Sequence, residues 1–150
     1  MPVGIGCAGR TRENLLAESR LSTDGADGAA PRRTIFVVDD EEMVRTVAAE
    51  LLRHLGYDVD MASSGEEAVT RIKEGARPDC ILLDIVMPGI GGAEALRQIH
   101  ALAPGIRIVI SSGFTDRISA EALADEGASA IISKPYRMEV LGSRLKEILG

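Results

Sequence analysis

The chain has 150 residues, enough for one core of ordinary size and too few for two unless one is a minimal stapled unit. It is 45% hydrophobic and 27% charged with a formal charge of -6, a mildly acidic globular composition that offers no basic excess for nucleic acid or anionic membrane. Cys7 and Cys80 are the only cysteines, which excludes a disulfide framework and a thiol metal cluster and fits a reducing, cytoplasmic setting. The apolar runs are strand-sized, far short of the roughly 20 residues of a membrane span. Arg10, Arg12 and Glu13 interrupt any signal-peptide core.

Residues 1–33 differ from the rest. Gly4, Gly6, Gly9, Gly25 and Gly28 flank Arg10 to Leu21, so the segment reads as a flexible tail in which a short helix carrying Leu15, Leu16 and Leu21 could form. From Thr34 onward, short apolar runs alternate with amphipathic stretches, the pattern of βα units around a parallel sheet. Residues 34–150 therefore read as one α/β domain. Its strands are predicted at Thr34 to Asp39, Asp58 to Ala62, Cys80 to Asp84, Arg107 to Ser111 and Ala130 to Ser133. Four are continuous apolar runs, as expected when helices cover both faces. The second alternates, which suits an edge.

The first helix sets Val44, Val47, Ala48, Leu51, Leu52 and Leu55 at helical spacing and stops at Gly56. The second opens on Ser64-Gly65-Glu66-Glu67, a capping box in which Ser64 and Glu67 each satisfy an amide of the first turn. The third carries Leu96, Ile99 and Leu102 after Gly92, and the last carries Met138, Leu141, Leu145 and Ile148. Between them, Ile118 to Asp125 has a thin apolar stripe and should be the least anchored helix.

Ligands of open parallel sheets bind beyond the carboxyl ends of the strands. Those ends carry Asp39 and Asp40, then Asp84, then Ser111 and Ser112, then Lys134. If the first and third strands are neighbours, three carboxylates converge, and two charges about 5 Å apart repel by roughly 3 kcal/mol at an effective dielectric near 20. A cation or raised pKa values must answer that repulsion. An all-oxygen site open to water suits Mg²⁺, whereas zinc would call for clustered His or Cys. A carboxylate can accept a phosphoryl group covalently, with Lys134 and the cation supplying positive charge and Ser112 hydrogen-bonding the product. Each residue alone has a duller role: Asp39 to Glu42 could merely cap a helix, Asp84 and Ser112 could be turn residues, and Lys134 could be a surface lysine. Four such coincidences at strand ends are much less plausible together. His54 and His100 fall within helices and are read as structural or exposed.

The motifs Val37-Val38-Asp39-Asp40-Glu41, Leu82-Leu83-Asp84-Ile85-Val86-Met87-Pro88 with Gly92, Ile110-Ser111-Ser112-Gly113-Phe114, and Ser133-Lys134-Pro135-Tyr136 agree in order and spacing with one family. Over about its last 117 residues the chain resembles the receiver domains of two-component response regulators, the CheY-like superfamily. The resemblance implies a flavodoxin-like, doubly wound five-stranded parallel sheet of order 2-1-3-4-5. It makes Asp84 the phosphoacceptor. Asp39 and Asp40, together with Asp84 and the Val86 backbone carbonyl, would hold Mg²⁺, with Asp40 the more direct of the first pair. Lys134, before a cis bond to Pro135, would bind the phosphoryl group, and Ser112 would be the switch hydroxyl with Gly113 the small residue beside it. The donor would be a phosphohistidine on a sensor histidine kinase or a histidine phosphotransfer protein. Phosphorylation-dependent dimerisation through the fourth helix, fifth strand and fifth helix is a further expectation.

Three residues before Lys134, where many receivers carry an aromatic that rotates on activation, stands Ile131. The apolar Val86 and Phe114 near the acceptor suggest slow loss of the phosphoryl group. Competing readings are weaker. A Mg²⁺-dependent phosphatase of the haloacid dehalogenase type would need an Asp where Val86 stands, and a dinucleotide site would be repelled by Asp39-Asp40-Glu41-Glu42. A phosphorylation-independent interaction module on the same fold is the more serious rival, although every principal acceptor-site residue is present. The chain ends at Gly150 after its last helix, which is compatible with a stand-alone receiver, a phosphate shuttle or a receiver cut from a hybrid kinase.

Overall fold

Four of the apolar runs, and the alternating one, become strands of a single parallel sheet in the computed structural model, which describes residues 32–113 and 120–150. In chain order the elements are β1 (Thr34–Val38), α1 (Glu42–His54), β2 (Asp58–Ala62), α2 (Gly65–Lys73), β3 (Cys80–Asp84), α3 (Gly91–Leu102), β4 (Arg107–Ser112), α4 (Ala120–Asp125), β5 (Ala130–Ser133) and α5 (Met138–Leu149). The strand order is β2-β1-β3-β4-β5, the doubly wound, flavodoxin-like topology expected from the sequence. Cys7, Phe114 and the helix anticipated over Arg10 to Leu21 lie outside the described residues.

Successive side chains of a strand face opposite ways, so the sheet separates two apolar layers. Phe36 and Val38 of β1, Ile81 and Leu83 of β3, and Ile108 and Ile110 of β4 pack with Val69 and Ile72 of α2, Leu96 and Ile99 of α3, and Leu123 of α4. Their alternates Ile35, Val37, Cys80, Leu82 and Val109 pack with Ala48 and Leu52 of α1 and Leu141 and Leu145 of α5. Burial on both sides explains the unbroken hydrophobicity of β1, β3 and β4. At one edge, β2 keeps only Ala62 fully buried, in line with its alternating sequence.

Local details depart from expectation at several places, and β1 ends at Val38, one residue short of the predicted Asp39. On α1, Val47 is 51% exposed while Ala49 is buried, because the helix rests on the sheet through Ala48, Ala49 and Leu52, and each residue turns the face by about 100°. At the start of α2, the Ser64 hydroxyl accepts the Glu67 amide at 3.0 Å as predicted, but the Glu67 carboxylate reaches one residue further back and accepts the Ser63 amide. And β4 runs one residue further than anticipated, pairing Ser112 with Ser133. By contrast α4 is held as thinly as its sequence suggested: Leu123 is its one buried residue, aided by an ion pair of 2.6 Å between Glu126, just beyond it, and Arg97 of α3.

Gly92, in the first turn of α3, sits directly on the end of β3. A Cβ there would run into the Asp84 carbonyl oxygen and the Ile85 backbone, neither of which can move independently of the strand. Gly92→Ala is therefore expected to destabilise the domain by about 2 kcal/mol or more, read as a lowered urea midpoint.

Candidate functional site

At the carboxyl ends of the strands, backbone hydrogen bonds tie β1 to β2 and both β3 and β5 to β4. The Asp39 amide donates to Ala62 O at 3.2 Å, the Ile85 amide to Ser111 O at 3.0 Å, and the Lys134 amide to Ser112 O at 2.7 Å. This lacing holds five of the predicted residues within one small region. Asp39, Asp40 and Asp84 each present an oxygen within 4.8 Å of the others. Asp39 and Asp84 are buried and Asp40 is exposed, so the cluster opens to solvent on one side.

Lys134 answers the charge. Its Nζ stands 2.9 Å from Asp39 Oδ2 and 3.1 Å from Asp84 Oδ1, bridging the two buried acids. The Lys134-Pro135 peptide is cis, as anticipated. Asp39 is further held through its carbonyl, which accepts from Arg45 Nη1 at 2.7 Å, and through Oδ1, which accepts the Glu41 amide at 2.9 Å. Helix capping does not account for the pair of aspartates: the residue capping α1 is Glu41, without a side-chain cap bond, and Asp40 makes no hydrogen bond or ion pair among the described residues.

Burial, reinforced by the neighbouring Asp39 charge, pushes the Asp84 carboxyl up from about 3.8 to about 6 against the pull of Lys134. One ammonium shared by two acids does not fully compensate either. The lysine, in turn, is held above its usual range: burial opposes its charge, but the pairs with Asp39 and Asp84 outweigh it. Asp39 Oδ2 has the Lys134 ammonium, 2.9 Å away, as its one partner, so this buried carboxylate oxygen keeps a lone pair free to accept. Three convergent carboxylates, one such oxygen and an open side form a donor set that fits a small hard cation such as Mg²⁺.

Ser112 is buried at the end of β4, and its hydroxyl has no hydrogen-bond partner among the described residues. Val86 is 60% exposed in the β3–α3 loop, and its amide donates to Asp84 Oδ1 over a long 3.4 Å. Ile131 is partly buried against the α2–α3 layer, a fixed aliphatic contact where a rotating ring was absent from the sequence. The sequence reading gave no role to Tyr136. Its hydroxyl lies 2.7 Å from Ser111 Oγ, and burial pushes its pKa up to about 12, so it is a neutral phenol linking the cis turn to β4. Both residues stood within the motifs, but a tyrosine following Lys-Pro reads equally well as core filler. His54 is exposed, and His100 packs against Gly127, well inside the α3 side of the fold.

Two measurements follow from this geometry. Tyr136→Phe should cost about 1 kcal/mol by stranding Ser111 Oγ, seen in urea unfolding. Because the folded pKa of Asp84 exceeds its unfolded value, the folded state binds the extra proton, and stability from this site is lost as pH rises from about 4 through about 6. Asp84→Asn should therefore be more stable than the parent by about 1–3 kcal/mol at pH 7 without Mg²⁺, with the gap closing below about pH 4.

Comparison with known proteins agrees with the geometry. The family model described as the response regulator receiver domain matches residues 35–146. The transcriptional regulatory protein PdtaR of Mycobacterium tuberculosis is 36% identical over 136 residues, 84% of this chain and 64% of that protein. The sensor kinase CckA of Brucella abortus is 32% identical over 141 residues, 93% of this chain but 15% of the kinase. Among solved structures, a CheY-like receiver domain protein of Methanospirillum hungatei superposes with a TM-score of 0.72 at 30% identity, covering 79% of this chain and 94% of that one. The chain spans less than two thirds of the length of these two curated relatives. With its sheet order, its strand-end acids and lysine, and a family match over most of its length, the chain belongs to the response regulator receiver domain family.

Proposed function

We propose that Asp84 is the phosphoacceptor of a two-component phosphorelay and that the modified domain signals by a change of shape. The observation that carries this reading is the buried Asp84 carboxylate, bridged by Lys134 to Asp39 at the open end of the sheet. An Asp84 oxygen attacks the phosphorus of a phosphohistidine on a sensor histidine kinase or histidine phosphotransfer protein. The new O–P bond forms as the P–N bond breaks, and the histidine leaves with its electron pair and takes up a proton. At about 6 the carboxyl is ionised at neutral pH and yet more basic than an ordinary aspartate, which favours attack. Lys134 exchanges part of its pairing with Asp84 for the incoming phosphoryl oxygens.

Asp39, Asp40, Asp84 and the Val86 backbone carbonyl would hold Mg²⁺, which supplies the remaining positive charge for those oxygens. The free Ser112 hydroxyl is the group available to donate to the phosphoryl group, drawing in the segment that leads to the lightly anchored α4. In this reading the domain is a switch that takes part in its own phosphorylation, and residues 34–150 form the receiver with 1–33 as a tail. No helix among the described residues is long and apolar enough to cross a membrane. The chain's acidic net charge offers no basic excess for nucleic acid, and relatives named as DNA-binding response regulators, such as MtrA of Mycobacterium leprae, match it over only half of their length.

Incubation with acetyl phosphate and Mg²⁺, followed by intact-mass measurement, should add one phosphoryl group. Asp84→Ala should gain none, and Lys134→Ala should gain it at least tenfold more slowly, a loss of about 1.4 kcal/mol or more in the barrier. A parent protein that stays unmodified with acetyl phosphate and with phosphorylated kinases would instead mark the domain as an interaction module.

A further inference from the structure

The opposite end of the sheet carries a second feature that the acceptor site does not use. Where β1, β3 and β4 begin, the chain forms an open cleft of about 450 Å³. Strands of this length set it about 16 Å from the acidic cluster. Arg33 enters from the residue before β1, Arg77 from the turn after α2, and Arg107 from the first residue of β4. Three exposed arginines from three separate segments line one cleft in a protein of net charge -6.

Asp79 in the lining offsets this charge only in part. Arg33 and Arg107 make no ion pair or side-chain hydrogen bond among the described residues. Arg77 is pinned through Nη1 alone, which donates to Ile72 O at 2.8 Å and Ala76 O at 2.7 Å, so the rest of its fork is held in place and available. The one acid in the lining, Asp79, has Oδ2 engaged by the Thr34 amide at 2.8 Å. Ile106, with Ile148 and Leu149 of α5, adds apolar lining.

We propose that this cleft binds a phosphorylated small molecule of nucleoside monophosphate size. Arginine forks recognise phosphate through paired charge-assisted hydrogen bonds and stack on planar rings. Apolar side chains beside a few polar groups, in a volume of this order, are features of small-molecule sites. The phosphate lies among Arg33, Arg77 and Arg107, and the base lies against Ile106 and Ile148. Because the cleft lies at the amino ends of the strands, occupancy is independent of Asp84 and of Mg²⁺.

Isothermal titration of the full chain with AMP, GMP and inorganic phosphate, in EDTA at physiological salt, tests this. The expected result is saturable one-to-one binding of at least one nucleotide, weakened about tenfold or more by Arg107→Ala and by Arg33→Ala. Arg53→Ala, which removes an exposed arginine on α1, and Asp84→Asn should leave it unchanged. Thermal unfolding of each variant separates a lost site from a lost fold. Absence of nucleotide binding, binding that survives both arginine substitutions in folded protein, or inorganic phosphate binding as tightly as the nucleotides would overturn the proposal.

Discussion

The ammonium of Lys134, 2.9 Å from Asp39 and 3.1 Å from Asp84, is the interaction on which the upper end of this domain depends. Two buried carboxylates on adjacent strands would otherwise repel across a region of low dielectric. The lysine comes from the far side of the sheet, at the end of β5. It reaches the acids because its own amide is fixed to Ser112 O and because the cis peptide at Pro135 turns the chain there. A single charge thus joins β1, β3 and β5 across β4. Compensation is incomplete: Asp84 stays elevated to about 6, and Asp39 Oδ2 has no partner but the same ammonium.

Incomplete compensation is what makes the site reactive. A fully satisfied acid would have neither a raised basicity nor room for a cation. A wholly unsatisfied one would be protonated at neutral pH and would not attack phosphorus. The surrounding structure fixes the geometry with backbone bonds and with Gly92 pressed on the end of β3, while it leaves α4 with one buried anchor and an exposed ion pair. Rigid acceptor and lightly held reporter lie on the same sheet.

The fold was legible because binary pattern and strand length agree at every step. Continuous runs such as Cys80 to Leu83 announced burial on both faces, and the alternation of Asp58 to Ala62 announced an edge. Strand order itself came from the family resemblance, since periodicity cannot rank neighbours. Of the site, Asp39, Asp40, Asp84, Ser112 and Lys134 were legible from their placement at strand ends. The Ser111–Tyr136 bond was not, because a hydroxyl pair linking residues 25 apart in sequence leaves no local pattern. Nor was the solvent-facing position of Val47, since spacing defines a stripe but not where it meets small alanines. The arginines at the amino ends of the strands were missed for a similar reason: Arg33, Arg77 and Arg107 are ordinary singly and line one cleft only in three dimensions.

The alternating β2 has a consequence for the company this domain keeps. An open sheet ends in unpaired backbone groups that invite another strand, and Asp58 and Asp60 stand along that border with Met61 half-exposed between acid and core. A twin molecule approaching there would bring like charges face to face. Pairing of β2 with a second copy is thereby disfavoured by Asp60 in particular, since Asp58 is already matched with Arg32.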